Sequence, residues 1–170
     1  SGLLAINRDT VKLDGFGLNL GVSRLELSLW LDGKSKKYDL SRAKLDLNLA
    51  DVARAAQLKG GGFDGQLVIT ASGKGNLDNP SANLDIRSAA CCLGGLRLDR
   101  LNTRLSYKDQ ILSLDNIEIV SGPGTVQGDG QLDLKARDYG LQLALSRMDL
   151  GTMLPATGKA LKTNINGVFK

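Results

Sequence analysis

Apolar and polar residues alternate one by one along most of this chain. Between Phe63 and Leu134 the runs are Gln66-Leu67-Val68-Ile69, Asn83-Leu84-Asp85-Ile86-Arg87, Leu96-Arg97-Leu98-Asp99, Gln110-Ile111-Leu112-Ser113-Leu114-Asp115, Asn116-Ile117-Glu118-Ile119 and Gln131-Leu132-Asp133-Leu134. Glycine or Asx turns separate them. Successive side chains leave a strand on opposite faces, so each run is greasy on one side and wet on the other. A series of such strands builds a sheet with one apolar face.

The flanking segments follow the same rule. Leu4, Ile6, Val11 and Leu13 predict two short strands around a turn at Asn7–Thr10, and Gly15-Phe16-Gly17 breaks the pattern. Arg24–Asp32 alternates most cleanly, with Leu25, Leu27, Leu29 and Leu31 opposite Glu26, Ser28 and Trp30, and Asp32-Gly33 signals a hairpin turn. Lys36–Leu40 and Ala43–Leu49 follow as strands. Tyr139–Ser146 and Leu161–Phe169 are strands near the end. Two stretches depart from period two. Asp51-Val-Ala-Arg-Ala-Ala-Gln-Leu58 predicts a short helix capped by Asp51 and stopped by Gly60-Gly61-Gly62, and Met148–Pro155 predicts a second. The two inserts lie 98 positions apart (149 − 51), an offset that also pairs Leu45 with Leu143, Leu47 with Leu145 and Leu67 with Ile165. An internal repeat is the expectation, with weak units near 1–57, 58–155 and 156–170.

Composition narrows the chemistry. The 170 residues suit one domain, 32 of them are leucine, and only 4% are aromatic, so the apolar face is aliphatic. There is no histidine, which removes the commonest general base and metal ligand. The net charge of +4 is spread among charges of both signs rather than clustered with stacking aromatics, which argues against nucleic acid. Cys91 and Cys92 are strand neighbours, so they point apart and cannot bridge without strain, and two thiols make no zinc site. No run of 18 apolar residues exists to span a membrane as a helix. The chain opens on Ser1-Gly2 and ends inside an expected strand, so a piece of a longer protein is expected.

Candidate motifs mostly fail. Gly122-Pro-Gly124-Thr-Val-Gln-Gly128 is followed by a strand pattern where a phosphate loop needs a helix N-terminus. Asp78-Asn79-Pro80-Ser81 lacks the later acidic ligands of a calcium loop and reads as a turn. Asp46, Asp85, Asp99, Asp115 and Asp133 fall on the wet face by parity. An enzyme is the least expected class, and no cofactor or metal is expected. A transmembrane barrel wants strands of about 9–11 residues and aromatic girdles; the runs here are shorter and rings are scarce. Two readings of the greasy face remain. A β-sandwich buries it against a second sheet, and the pattern alone favours this. An open, curled sheet leaves it as a groove for acyl chains, which need only non-directional burial.

Three stretches resemble the TamB / AsmA-like family. They are Phe63-Asp-Gly-Gln-Leu-Val-Ile-Thr-Ala-Ser-Gly-Lys-Gly-Asn-Leu-Asp-Asn-Pro80; Leu112-Ser-Leu-Asp-Asn-Ile-Glu-Ile119 with Gly124-Thr-Val-Gln-Gly-Asp-Gly-Gln-Leu-Asp-Leu134; and Tyr139-Gly-Leu-Gln-Leu-Ala-Leu145 with Met148-Asp-Leu150. The likeness spans about Ala43–Lys170 and leaves the paired cysteines unmatched. It implies an all-β, mainly antiparallel curled sheet, a "β-taco" with a U-shaped apolar groove, carrying one or two short helical inserts. It implies a periplasmic segment of a longer protein anchored in the inner membrane, passing phospholipid acyl chains between inner and outer membrane. The alternative it implies is an assembly factor for outer-membrane proteins and autotransporters, binding unfolded β-strands with an Omp85-type, TamA-like partner. Edge-to-edge self-association of the segment is a further expectation. The groove residues expected by parity are Leu45, Leu47, Leu49, Leu67, Ile69, Leu84, Ile86, Leu96, Leu98, Leu112, Leu114, Ile117, Ile119, Leu132, Leu134, Leu141, Leu143 and Leu145. Each would supply surface and none would supply chemistry.

Overall fold

The computed structural model describes residues 2–58, 62–148 and 165–169. In chain order the strands are β1 (Leu3–Ile6), β2 (Thr10–Leu20), β3 (Ser23–Asp32), β4 (Lys37–Asn48), β5 (Asp64–Asn76), β6 (Ala82–Ser88), β7 (Cys91–Leu93), β8 (Leu96–Leu98), β9 (Arg100–Lys108), β10 (Ile111–Ser121), β11 (Gly124–Asp133), β12 (Asp138–Met148) and β13 (Ile165–Phe169), with one helix, α1 (Leu49–Ala55), after β4. Eleven strands form one antiparallel path, β1-β2-β3-β4-β5-β6-β9-β10-β11-β12-β13, each beside its neighbour in sequence except where the β7–β8 hairpin is looped out. The fold is the open curled sheet. The two-sheet sandwich that pattern alone favoured is not formed.

The strands are longer than the alternating runs suggest. β5 holds 13 residues and β4 holds 12. Glycines within β5 extend it: Gly73 pairs with both Leu40 and Ala82, where a Cβ would lie 2.4 Å from the Ser81 carbonyl oxygen. Strand length therefore gives no argument against a barrel. What separates this sheet from one is that its path runs from β1 to β13 without closing. Gly15-Phe16-Gly17 does not interrupt β2 either. Gly15, at φ 59°, makes a bulge between Leu13 and Phe16, and pairing with β3 resumes beyond it.

A repeat is present in the backbone, at an offset of 101 residues (104 − 3). The pairs Leu3↔Asp14 and Leu4↔Leu13 recur as Arg104↔Asp115 and Leu105↔Leu114. The bulge between Leu13 and Phe16 recurs between Leu114 and Ile117, with Asn116 at φ 52° in the place of Gly15. Asp32 accepts backbone hydrogen bonds from Lys34 and Ser35, and Asp133 accepts them from Lys135 and Ala136. Lys36 and Arg137 follow at φ 55° and 58°. The Gly33 N–H donates to the Asp9 carbonyl, as the Leu134 N–H does to the Gln110 carbonyl. The 98-residue offset expected from the inserts misplaces Leu45, which pairs with Leu25 as Leu145 pairs with Val126. A sliding match of alternating leucines is satisfied by any even shift, whereas a bulge or an αL turn has one position.

The helix begins earlier than expected. Asn48 is the N-cap, its side chain accepting from the Asp51 N–H, and Ala56 is the C-cap, ahead of the glycine run. Asp51 instead holds α1 to the β2–β3 turn, accepting from the Val22 N–H at 3.1 Å and pairing with Arg54. The expected second helix, over 148–155, lies outside the described residues apart from Met148, which ends β12. Of the strand expected at 161–169, β13 is described and 161–164 are not.

Candidate apolar groove

Directly paired residues of antiparallel strands share a face, so the register assigns the lining. One row crosses ten strands: Leu4, Leu13, Leu29, Leu40, Gly73, Ala82, Tyr107, Leu112, Leu132 and Tyr139. A second runs Phe16, Leu27, Ala43, Ala71, Leu84, Leu105, Leu114, Gly130 and Leu141. A third holds Leu18, Leu25, Leu45, Ile69 and Ile86. A fourth holds Leu101, Ile119, Val126 and Leu145. The bulge at Asn116 lets Leu114 and Ile117 keep to one face although they are an odd number of positions apart.

The opposite face is wet. Its rows place Glu26 beside Lys44, and Asp85 beside Arg104, which in turn faces Asp115. Arg24–Glu26 (2.7 Å), Lys44–Asp46 (2.9 Å), Arg104–Asp85 (3.0 Å) and Arg100–Glu118 (3.0 Å) are ion pairs there. Exposed pairs of this kind contribute about 0–1 kcal/mol each. Their main effect is to make exposure of this face cheap and burial of it costly. The shallow depressions on this side, such as the one of about 420 Å³ bounded by Ser113, Asp115, Asp129, Gln131, Leu141 and Gln142, are open and of mixed polarity.

On the apolar face the glycines of β11 stand close against β12. A Cβ on Gly128 would sit 2.1 Å from the Gln142 carbonyl oxygen and 2.8 Å from Leu143 Cδ2. On Gly130 it would meet Leu141 Cδ1 at 3.0 Å, whereas on Gly140, on the wet face, it would meet nothing within 4 Å. β12 thus leans over β11 on the greasy side. Little covers this surface. A compact monomer of this size exposes about 8,000 Å²; this chain exposes 11331 Å². Among the described residues only Leu49, Cys91, Leu98 and Met148 are buried apolar side chains, while Leu18, Leu4 and Leu141 are 55%, 57% and 47% exposed.

Among the described residues, coverage is confined to one rim. Leu98 (β8), Cys91 (β7) and Leu49 (α1) form a small core, against which Phe63, Leu67, Leu93, Leu96, Leu101 and Ile119 pack. The hairpin is tied down by the Ser121 hydroxyl, donating to the Arg97 carbonyl at 2.7 Å, and by the Asp99 N–H donating to the Val120 carbonyl. Both thiols are free: Cys91 is buried in this core and Cys92 is half-buried.

Fourteen of the expected lining residues lie on the main sheet's apolar face: Leu45, Leu47, Leu67, Ile69, Leu84, Ile86, Leu112, Leu114, Ile117, Ile119, Leu132, Leu141, Leu143 and Leu145. The other four sit elsewhere. Leu49 and Leu98 are buried under the rim, Leu96 packs beside them off the main sheet, and Leu134 stands in the β11–β12 turn, 49% exposed. Their parity is that of a strand, but the chain leaves the sheet before reaching them. The same face also carries Leu13, Phe16, Leu25, Leu27, Leu29, Leu31, Leu40, Leu101, Leu105 and Val126, whose alternation was equally visible.

No group of three metal-ligating side chains occurs among the described residues, and none of their helices is long and apolar enough to cross a membrane. No family model, curated protein or solved structure matches the chain.

Proposed function

We propose that the open apolar face carries phospholipid acyl chains along the sheet, in the periplasm, within a protein bridging inner and outer membrane. The observation that carries the reading is the aliphatic face itself, continuous over ten strands and, among the described residues, covered only at one rim. Acyl chains ask only for contiguous apolar surface, and branched aliphatics let them slide where aromatic slots would hold a planar ligand. The ion-paired outer face keeps such a one-layer sheet wetted from behind. The resemblance to the TamB / AsmA-like family supports the same reading.

The test is Leu114→Arg, beside Leu105 and Gly130 in the middle of the face. On an open face the guanidinium reaches water along its own flexible stem, so the fold should lose only about 1–2 kcal/mol. The charge then obstructs the ligand. Photo-crosslinking of phospholipid from inward positions should fall sharply, and native mass spectrometry should show less co-purifying lipid. Ser113→Arg, one residue away on the wet face, should change neither. Wild-type chain without lipid cross-links at any inward position would end the proposal.

A further inference from the structure

The backbone repeat assigns a partner to the free edge of β1. Among the described residues β1 pairs only with β2, and Leu3, Leu4 and Ile6 are 60%, 57% and 71% exposed. Its equivalent 101 residues on is the stretch Arg104–Tyr107 of β9, which meets β10 in the register with which β1 meets β2. The far edge of that stretch is occupied, by β6. Ala82 faces Tyr107, Leu84 faces Leu105, and Asp85 faces Arg104, whose Nε donates to the Asp85 carboxylate at 3.0 Å. From this we propose that the free edge of β1 is the docking site for a β6-type strand of a neighbouring repeat unit, antiparallel, with apolar residues opposite Leu4 and Ile6.

The equivalence also sets a difference of charge in what β1 accepts. Leu3 stands where β9 has Arg104. A strand with an acid at the Asp85 position leaves that carboxylate over leucine without a cation. The strand that fits β1 carries an apolar residue there instead, so the two exposed leucines, on opposite faces of β1, are both covered. Register is specific because a slip of one residue turns the apolar positions of the incoming strand to the wet face. This inference is independent of what the apolar face carries.

The test uses the whole 170-residue chain and synthetic peptides spanning Pro80–Ala89. One has the natural sequence, one carries Asp85→Leu, and one carries Leu84→Asp with Asp85→Leu, which shifts the apolar pattern by a residue. A photo-reactive group near the Leu84 position reports the site. The Asp85→Leu peptide should bind saturably, several-fold tighter than the natural one and about tenfold tighter than the shifted one, since each cross-strand pair contributes up to about 1 kcal/mol. Its cross-links should map to Leu4 and its neighbours. Leu3→Arg in the protein should reverse the order of the first two peptides, restoring the Asp85–Arg104 arrangement. Absence of saturable binding overturns the proposal. So do cross-links confined to β13 or to the open face, a link between Leu4 of two copies in place of peptide capture, or equal binding of all three peptides.

Discussion

β3 and β11 occupy the same place in the two halves of the sheet, each ten residues long and each preceded by a bulged strand. β3 turns Leu25, Leu27, Leu29 and Leu31 to the apolar face. β11 turns Val126, Gly128, Gly130 and Leu132 to it. Two leucines in one half correspond to two glycines in the other, yet the bulge in the preceding strand and the register with that strand agree; toward the following strand they differ, since β3–β4 carries a bulge at Ser28–Leu29 that β11–β12 lacks. The register with the preceding strand is therefore not held by the volume of the lining. It is held by the αL residue at each bulge, by the Asp32 and Asp133 turns, and by the hydrogen bonds that link each of these turns to the one before it. The lining is free to vary, and it sets how closely the next strand leans over the face.

The largest effect should come from making the second half like the first. Gly128→Leu places a Cβ against the Gln142 carbonyl and Leu143, and backbone is the partner least able to move. A loss of about 3 kcal/mol is expected, seen as a lower urea midpoint and as faster amide exchange in β11 and β12. The converse, Leu27→Gly, removes half-buried surface and adds chain entropy, and should cost about 2 kcal/mol without moving the register. Unchanged exchange protection in β2 and β4 would show that. An equal cost for both variants would mean that the glycine positions are not sterically closed.

The bulges give a smaller pair. Nothing lies within 4 Å of a Cβ on Gly15, so Gly15→Ala isolates the penalty of its positive φ, about 1 kcal/mol. Gly15→Asn should cost less, because Asn116 already serves at the equivalent bulge. Thermal denaturation of the two variants side by side decides this.

The smallest effect lies in the turns, where Ser35 corresponds to Ala136. The Ser35 hydroxyl, 2.5 Å from the Asp32 carboxylate, is the main cause holding the Asp32 pKa below its usual value, with the Ser35 and Lys34 backbone N–H groups and the Lys34 charge adding to it. Such a depressed acid stabilises the fold above its unfolded pKa, and that contribution disappears as pH falls through the folded value, so the window lies below about pH 4. Ser35→Ala should move the Asp32 titration, followed by NMR, upward. An unmoved titration would assign the shift to the backbone donors alone.

Much of this was legible in the chain. Alternation placed Leu112 and Leu114 on one face, and Ile117 and Ile119 with them, because leucine and isoleucine mark the dry side whatever bends between them. Adjacency alone kept Cys91 and Cys92 unbridged. The runs looked shorter than the strands they belong to because Gly73 breaks the hydrophobic pattern while keeping its ladder pairs, and Gly15 only bulges a strand that resumes beyond it. The cap of α1 was misplaced by three residues because Asn48 and Asp51 are both good capping types, and only the β2–β3 turn, which engages the Asp51 carboxylate, tells them apart.

By itself, then, the sequence determined the local state of each segment: extended, two-faced and aliphatic, with acids and bases confined to one side. Those are properties of neighbours along the chain, and side-chain parity carries them. Whether the dry sides close on one another was decided only in three dimensions. A sandwich and an open sheet share the same alternation, and they differ in which strand ends beside which. That choice rests on contacts between residues far apart in sequence: the β6–β9 pairing across a looped-out hairpin, the rim core of Leu49, Cys91 and Leu98, and glycines on which no Cβ fits. The sequence pattern has a period of two and cannot tell Leu98, buried at the rim, from Leu114 on the open face. The fold can, because burial depends on what stands opposite.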